Sequence, residues 1–243
     1  MRRITHRRAT GLSYDGLPIY ASPHVHEEAF AVLAPFLSRG CRIVDLGAGS
    51  GAFSKRLADA GAVVEAVDSD PSDWALPDVP LLVQELNEPE WNLPGRRYDV
   101  AVAIEVIEHL ENPSGFLRNV RRLLEPGGML LITTPNVVSL VDRRRFLLRG
   151  ELAFFGAELV FTAGHQSILP FWLLEGLFRK ESYCVIARRF LNQQGFVRRP
   201  GRPFWKMLVV PPVDLALWLL GRGIPREAAL ATHVCYLVRP EGS

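Results

Sequence analysis

A chain of 243 residues with 48% hydrophobic and 22% charged residues can bury a large core and is too apolar to stay disordered. A net charge of +2 gives no global electrostatic case for a nucleic-acid partner. The three cysteines, Cys41, Cys184 and Cys235, are odd in number and far apart, which argues against a disulfide framework and a closed zinc site and for a reducing, cytoplasmic setting.

Met1 to Arg8 is basic but is not followed by the apolar run of a secretory signal, so residues 1–23 read as a loose basic arm. Tyr14 and Tyr20 are expected to dock it. His24 and His26 precede an expected helix whose apolar face carries Phe30, Leu33 and Leu37 and covers a sheet. From there apolar runs alternate with helical spacing, the pattern of an α/β fold with a mostly parallel sheet. Residues 42–46 form the first expected strand, followed by a helix over 51–60 with Phe53 and Leu57 on one face and Gly61 as its stop. Further strands are expected at 62–68, 81–86 and 98–104. A helix bearing Phe116, Val120, Leu123 and Leu124 follows, then a turn at Pro126-Gly127-Gly128 and a fifth strand at 129–133. An amphipathic helix over 140–149 carries Arg143, Arg144, Arg145 and Arg149. Either 184–187 or 195–197 supplies the sixth strand, and 233–238 is the terminal one. The expectation is a doubly wound, mostly parallel seven-stranded sheet with a helical C-terminal cap or insertion. Its parts are an arm (1–23), a cofactor-binding core (24–140), an acceptor-side cap (141–232), and a terminal strand and tail (233–243).

The strand ending at Asp45 runs into Gly47, Gly49 and Gly51 before a helix, which lets backbone approach a ligand where a Cβ would clash. Asp68, 21 residues after Gly47 at the end of the next strand, is placed to accept hydrogen bonds from both ribose hydroxyls of a nucleoside. Residues 47–52 also satisfy the dinucleotide fingerprint, so an NAD-dependent oxidoreductase is a rival reading. Asp45 tells against it, because a carboxylate beside the glycines suits an ammonium-bearing ligand.

The run from Val44 to Ser54 resembles the first motif of class I S-adenosylmethionine-dependent methyltransferases. Leu86-Asn87-Glu88-Pro89, Tyr98 to Pro113, Leu124 to Gly128 and Thr134-Pro135-Asn136 resemble the later ones. Order and spacing are similar to the branch containing ubiquinone-biosynthesis O-methyltransferases, over roughly residues 24–140. By position the resemblance implies a Rossmann-like fold and S-adenosylmethionine as cofactor, with S-adenosylhomocysteine as product. Asp45, Gly47, Ala48, Gly49 and Gly51 would hold the methionine part, Asp68 the ribose and Leu86 the adenine edge, with Glu105 near the sulfonium. Glu85 departs from the aspartate that relatives often carry before the adenine contact.

Methyl transfer from a sulfonium needs alignment and exclusion of water rather than an elaborate triad. A hydroxyl acceptor also needs a base, and His109, after the fourth strand, is the candidate; the alternative is that it packs against the cofactor. The Glu105-x-x-Glu108-His109 run, with His165 as a distant partner, resembles that of metal-dependent small-RNA 3′-terminal methyltransferases. The further paired histidines of that group are missing, so no metal is expected. The expected reaction is O-methylation of a small molecule, lipid-linked intermediate or sugar. An RNA methyltransferase or nucleic-acid-binding adaptor is the alternative, raised by the arginines of the arm and of 143–149. Residues 207–220, broken by Pro211, Pro212 and Asp214, are too short to span a bilayer and read as a cap over the acceptor or a peripheral membrane contact.

Overall fold

The computed structural model describes residues 10–93, 95–193 and 223–242, with isolated positions at 212, 216, 217, 219 and 221. The basic run Met1 to Arg8, the alternative strand 195–197 and most of 207–220 lie outside the described residues.

The apolar runs become strands of one seven-stranded sheet. In chain order they are β3 (Arg42–Leu46), β4 (Val63–Asp68), β5 (Leu81–Val83), β6 (Tyr98–Ile104), β7 (Leu124–Pro135), β8 (Tyr183–Gln193) and β9 (Ala231–Pro240), lying in the order β5-β4-β3-β6-β7-β9-β8. The first five pair in parallel, and β9 runs antiparallel between β7 and β8. From β3 the chain winds outward through β4 to β5, then crosses back to β6 on the other side. The gap between the C-terminal ends of β3 and β6 is therefore the topological switch point, where doubly wound sheets bind ligands.

Period-two alternation divides the core between the two faces. Val44, Leu46, Ala101, Ala103, Leu130 and Ile132 pack with α3 (Pro113–Leu123) and α6 (Phe171–Lys180). Ile43, Val100, Val102 and Leu131 pack with α1 (Val25–Leu33) and α2 (Ala52–Asp59). Asp45 shares parity with Ile43, so its carboxylate faces α2. The start of α3 carries weak helix formers, but the Asn112 side chain accepts from Gly115 N at 2.9 Å and Pro113 opens the first turn. Phe116, Leu117, Val120 and Leu123 are then buried, each worth about 1.5–3 kcal/mol, which outweighs the poor propensity.

Several boundaries differ from the sequence reading. The third strand stops at Val83, where Gln84 N turns back to Asp68 O at 3.1 Å. Helix α3 ends at Leu123, before Pro126, and Pro126-Gly127-Gly128 form an irregularity inside β7 rather than a turn ahead of it; Gly127 takes φ +80 and the pairing with β6 shifts between Tyr98 and Val100. The stretch 184–187 lies within β8, which runs for 11 residues because β9 pairs along it from Ala231 to Pro240. In α1 the buried face is Val25, His26, Ala29, Val32 and Leu33, so His26 falls inside the helix, edge-on to Phe53 at 5.1 Å. Residues 10–22 are held in place: β1 (Ser13–Tyr14) and β2 (Leu17–Pro18) form a hairpin. Tyr14 donates to Asp59 and Tyr20 to Asp73, both at 3.1 Å, while Leu17, Ile19 and Ala21 are buried.

Candidate active site

The loop after β3 is shaped by backbone that only glycine adopts readily. Gly47, Gly49 and Gly51 have φ of +77, +61 and +91, and a Cβ on Gly47 would stand 2.6 Å from Val106 Cγ2. The turn is fastened to β4, with Gly47 N and Ala48 N both donating to Val67 O, at 2.7 and 3.1 Å. It is also fastened to the N-terminal hairpin, where Ser50 Oγ donates to Pro18 O at 2.6 Å. Gly47→Ala is thus expected to combine a left-handed alanine with a clash against Val106, the residue after Glu105. Together these cost about 1–3 kcal/mol, read as a lower midpoint in urea unfolding. A midpoint equal to that of the unaltered chain would mean the loop relaxes without strain.

Two acids flank the loop. Asp68, on β4, is 2% exposed and accepts from Gly49 N at 2.8 Å and Asp70 N at 3.0 Å, so it both shapes the loop and faces the switch point. Asp45, also 2% exposed, accepts from Ser54 Oγ at 2.6 Å. Burial first, and then the nearby Asp68 charge, push its carboxyl up to about 7, and the Ser54 hydrogen bond offsets only part of this. A buried carboxyl poised near neutrality is suited to a cationic ligand that would restore its charge.

Across the crevice, β6 is followed directly by Glu105, whose φ of +57 marks a backbone held in a sparsely populated region. Thr133 of β7 fixes it twice: its Oγ1 accepts from Glu105 N at 3.0 Å and donates to Glu105 Oε1 at 2.9 Å. Nε2 of His233, on β9, lies 2.9 Å from Glu105 Oε2, and His233 Nδ1 is 2.9 Å from Thr232 Oγ1. His233 is fully buried. Burial alone would raise the Glu105 carboxyl, but the His233 imidazole beside it and the hydrogen bond from Thr133 outweigh that and hold it below its usual range. Sequence reading missed His233 and Thr133; a lone histidine in an apolar terminal strand was the available signal for the first. Leu86 is buried in the same apolar cluster as Val67 and Val106, and its carbonyl accepts from Trp91 Nε1 at 3.3 Å.

After Glu105 the chain makes a short 3-10 turn, Ile107–His109. The His109 ring meets that of His165 edge-on at 4.6 Å, and His165 Nδ1 is 2.6 Å from Phe154 O. Burial lowers both imidazoles, His109 to about 4, which favours their uncharged forms. Glu108 is fully buried; its Oε2 accepts from Thr134 Oγ1 at 3.2 Å and its Oε1 has no hydrogen-bond partner. Ligand-type atoms of Glu108, His109 and His165 lie within 4.8 Å of one another. The structure therefore brings Asp45, the glycines and Asp68 together on one wall of the crevice, with Glu105 and the 107–109 turn on the other. His165, 56 residues from His109 in sequence, closes that second wall.

A family model described as a methyltransferase domain matches residues 21–190. The chain belongs to the class I S-adenosylmethionine-dependent methyltransferases. Ubiquinone biosynthesis O-methyltransferase of Azorhizobium caulinodans is 27% identical over 201 residues, covering 76% of this chain and 72% of that protein. The Cereibacter sphaeroides protein of the same name is 33% identical over 110 residues, which span 42% of this chain and 44% of that one. Among solved structures, a SAM-dependent methyltransferase from Archaeoglobus fulgidus superposes with a TM-score of 0.59 at 15% identity, over 88% of this chain and 93% of that one. This methyltransferase uses S-adenosylmethionine, which sets aside the nicotinamide reading of the glycine loop. The family match also runs 50 residues past the 140 at which the sequence resemblance was drawn, through α6 and into β8.

Proposed function

We propose that this methyltransferase transfers the methyl group of S-adenosylmethionine to an oxygen of a small molecule, a lipid-linked intermediate or a sugar. In this reading Asp45 and the 47–51 backbone hold the methionine part, Asp68 the ribose, Leu86 the adenine edge, and Glu105 lies beside the sulfonium. The observation that carries the reading is the pair of half-buried imidazoles at the mouth of the crevice, His109 and His165, whose rings meet at 4.6 Å. The acceptor oxygen attacks the methyl carbon in line, the carbon–sulfur bond breaks with its electron pair going to sulfur, and the acceptor's proton passes to His109. Contacts of Phe154 with His233 at 5.0 Å and of Phe155 with His165 at 5.5 Å support an acceptor-side role for the region after residue 140.

In a second reading Glu108, His109 and His165 would hold a divalent cation, which would supply Lewis-acid polarisation of the acceptor hydroxyl. Two imidazoles and a buried carboxylate, with one carboxyl oxygen lacking a partner and with ligand atoms within 4.8 Å of each other, are a donor set that fits such an ion. One experiment tests both: labelled cofactor is incubated with a bacterial metabolite extract, with and without a chelator, and methylated products are identified by mass. An oxygen-methylated small molecule whose yield falls at least about 100-fold in His109→Ala supports the first reading if the chelator has no effect. Loss on chelation with rescue by added metal supports the second. Label recovered in RNA, or on nitrogen, overturns the oxygen acceptor.

A further inference from the structure

Burying an imidazole costs free energy unless its nitrogens find partners, so a fully buried histidine at the start of an apolar strand calls for a reason beyond packing. On β9, Val234, Cys235, Tyr236, Leu237 and Val238 are fully buried, and so is His233 just before them. Its nitrogens turn to the crevice. Nδ1 is 2.9 Å from Thr232 Oγ1, and Nε2 stands 2.9 Å from Glu105 Oε2 with no other hydrogen-bond partner. Antiparallel β9 begins where parallel β7 ends, and the pairing of His233 with Pro135 brings the ring to the crevice end of the sheet. Asn136 locks that register: its Nδ2 donates to Ala228 O at 2.6 Å and Ala231 O at 2.8 Å, and its N–H donates to Thr232 O at 2.8 Å. Phe154, from the connection between α4 (Leu140–Arg149) and α5 (Ala157–Thr162), meets the imidazole edge-on at 5.0 Å.

Glu105 is the residue that gains from this arrangement. Its side chain is 15% exposed, and Thr133 Oγ1 occupies one carboxylate oxygen, which leaves the second to His233. Without the imidazole that oxygen would be free to turn, and burial would favour the protonated acid. We infer that His233 is a positioning residue: it holds the Glu105 carboxylate toward the cofactor's sulfonium and so sets how far the crevice favours S-adenosylmethionine over its uncharged thioether product, S-adenosylhomocysteine. The inference rests on the reading that places Glu105 beside the sulfonium. The positive charge on sulfur disappears when the methyl group leaves, so a fixed carboxylate there loses its partner in the product and favours exchange for fresh cofactor. His233 itself touches neither ligand in this scheme and acts through Glu105 alone.

The test needs no acceptor. Affinities of the full chain for S-adenosylmethionine and S-adenosylhomocysteine, both measured by calorimetry, give the preference as a ratio. Glu105→Gln should lower that preference for the charged cofactor by about tenfold, the worth of one charge-assisted contact. His233→Asn keeps an amide near the Nδ1 position but falls short of Glu105, and should lower the preference about as much. His233→Gln reaches the Nε2 position and should restore it to within about threefold. In the Glu105→Gln background, His233→Asn should change the ratio no further, because both substitutions remove one and the same contact. S-adenosylhomocysteine affinity should stay near that of the unaltered chain throughout, which shows that the crevice is folded. If His233→Asn does not fold, the unaltered chain with nitrogen-labelled histidine carries the test: the His233 Nε2 resonance should shift when S-adenosylmethionine replaces S-adenosylhomocysteine. A preference that falls in Glu105→Gln but not in His233→Asn, additive effects in the double variant, or a resonance that does not distinguish the ligands overturns the role of His233 and leaves Glu105 in place. A preference unchanged in Glu105→Gln removes Glu105 from the sulfonium and overturns both.

Discussion

Asp68→Ala is expected to weaken S-adenosylhomocysteine binding by about 100-fold to 10,000-fold in isothermal titration calorimetry, with the chain still folded. The estimate follows from two charge-assisted hydrogen bonds to the ribose hydroxyls, each worth about 1.5–3 kcal/mol, against 1.4 kcal/mol per tenfold in affinity. In the structure both carboxylate oxygens take a backbone N–H, from Gly49 and from Asp70. The alanine variant therefore also frees Gly49 N, and part of the loss comes from a slackened loop. Asp68→Asn separates the two contributions: its amide oxygen can still accept from Gly49, but the charge and one acceptor are gone, so a loss of about tenfold to 100-fold is expected. Affinity preserved in both variants would remove Asp68 from the cofactor site. NAD binding by either form would contradict the family assignment.

The wall of the crevice proposed to hold the nucleoside was legible because its requirements are local. Tight turns need glycine at fixed places, and a strand ending in an acid puts that acid beside them; Gly47, Gly49, Gly51, Asp45 and Asp68 are all read from one stretch of 24 residues. The opposite wall was legible only in part. Glu105 and His109 follow β6 and could be placed by the switch-point rule, yet their partners come from far along the chain: Thr133 from β7, His165 from beyond α5, His233 from the antiparallel strand β9. Period-two patterning says that 233–238 is a strand, but not that β9 inserts between β7 and β8 and so carries His233 to Glu105. Boundaries failed for a similar reason. Pro126-Gly127-Gly128 has the chemistry of a turn, and the sheet absorbs it as an irregularity because Leu124 already pairs with Tyr98. Exposure was the least legible property. Phe146, Leu147 and Leu148 interrupt an otherwise basic helix, and only packing shows that all three face outward.

Cofactor binding should be pH-dependent, with the step set by Asp45. In the free protein its carboxyl titrates near 7 because it is buried with only Ser54 to solvate it and Asp68 as the nearby charge. The methionine part of the ligand brings an ammonium group, which stabilises the carboxylate, so binding below pH 7 must expel a proton from Asp45. The sign follows: affinity is independent of pH above about 7 and falls as pH drops, by up to about tenfold per unit and so on the order of 100-fold weaker at pH 5. Calorimetry of S-adenosylhomocysteine across pH 5 to 8.5, in buffers of different ionisation enthalpy, reads both the slope and the proton released. Adenosine, which lacks the ammonium group, should show no such slope. Asp45→Asn should flatten the profile and lower affinity at high pH by about tenfold to 100-fold, the worth of one charge-assisted contact. A slope that persists in that variant would assign the titrating group elsewhere, and a flat profile in the unaltered chain would mean that the ligand's ammonium never meets Asp45.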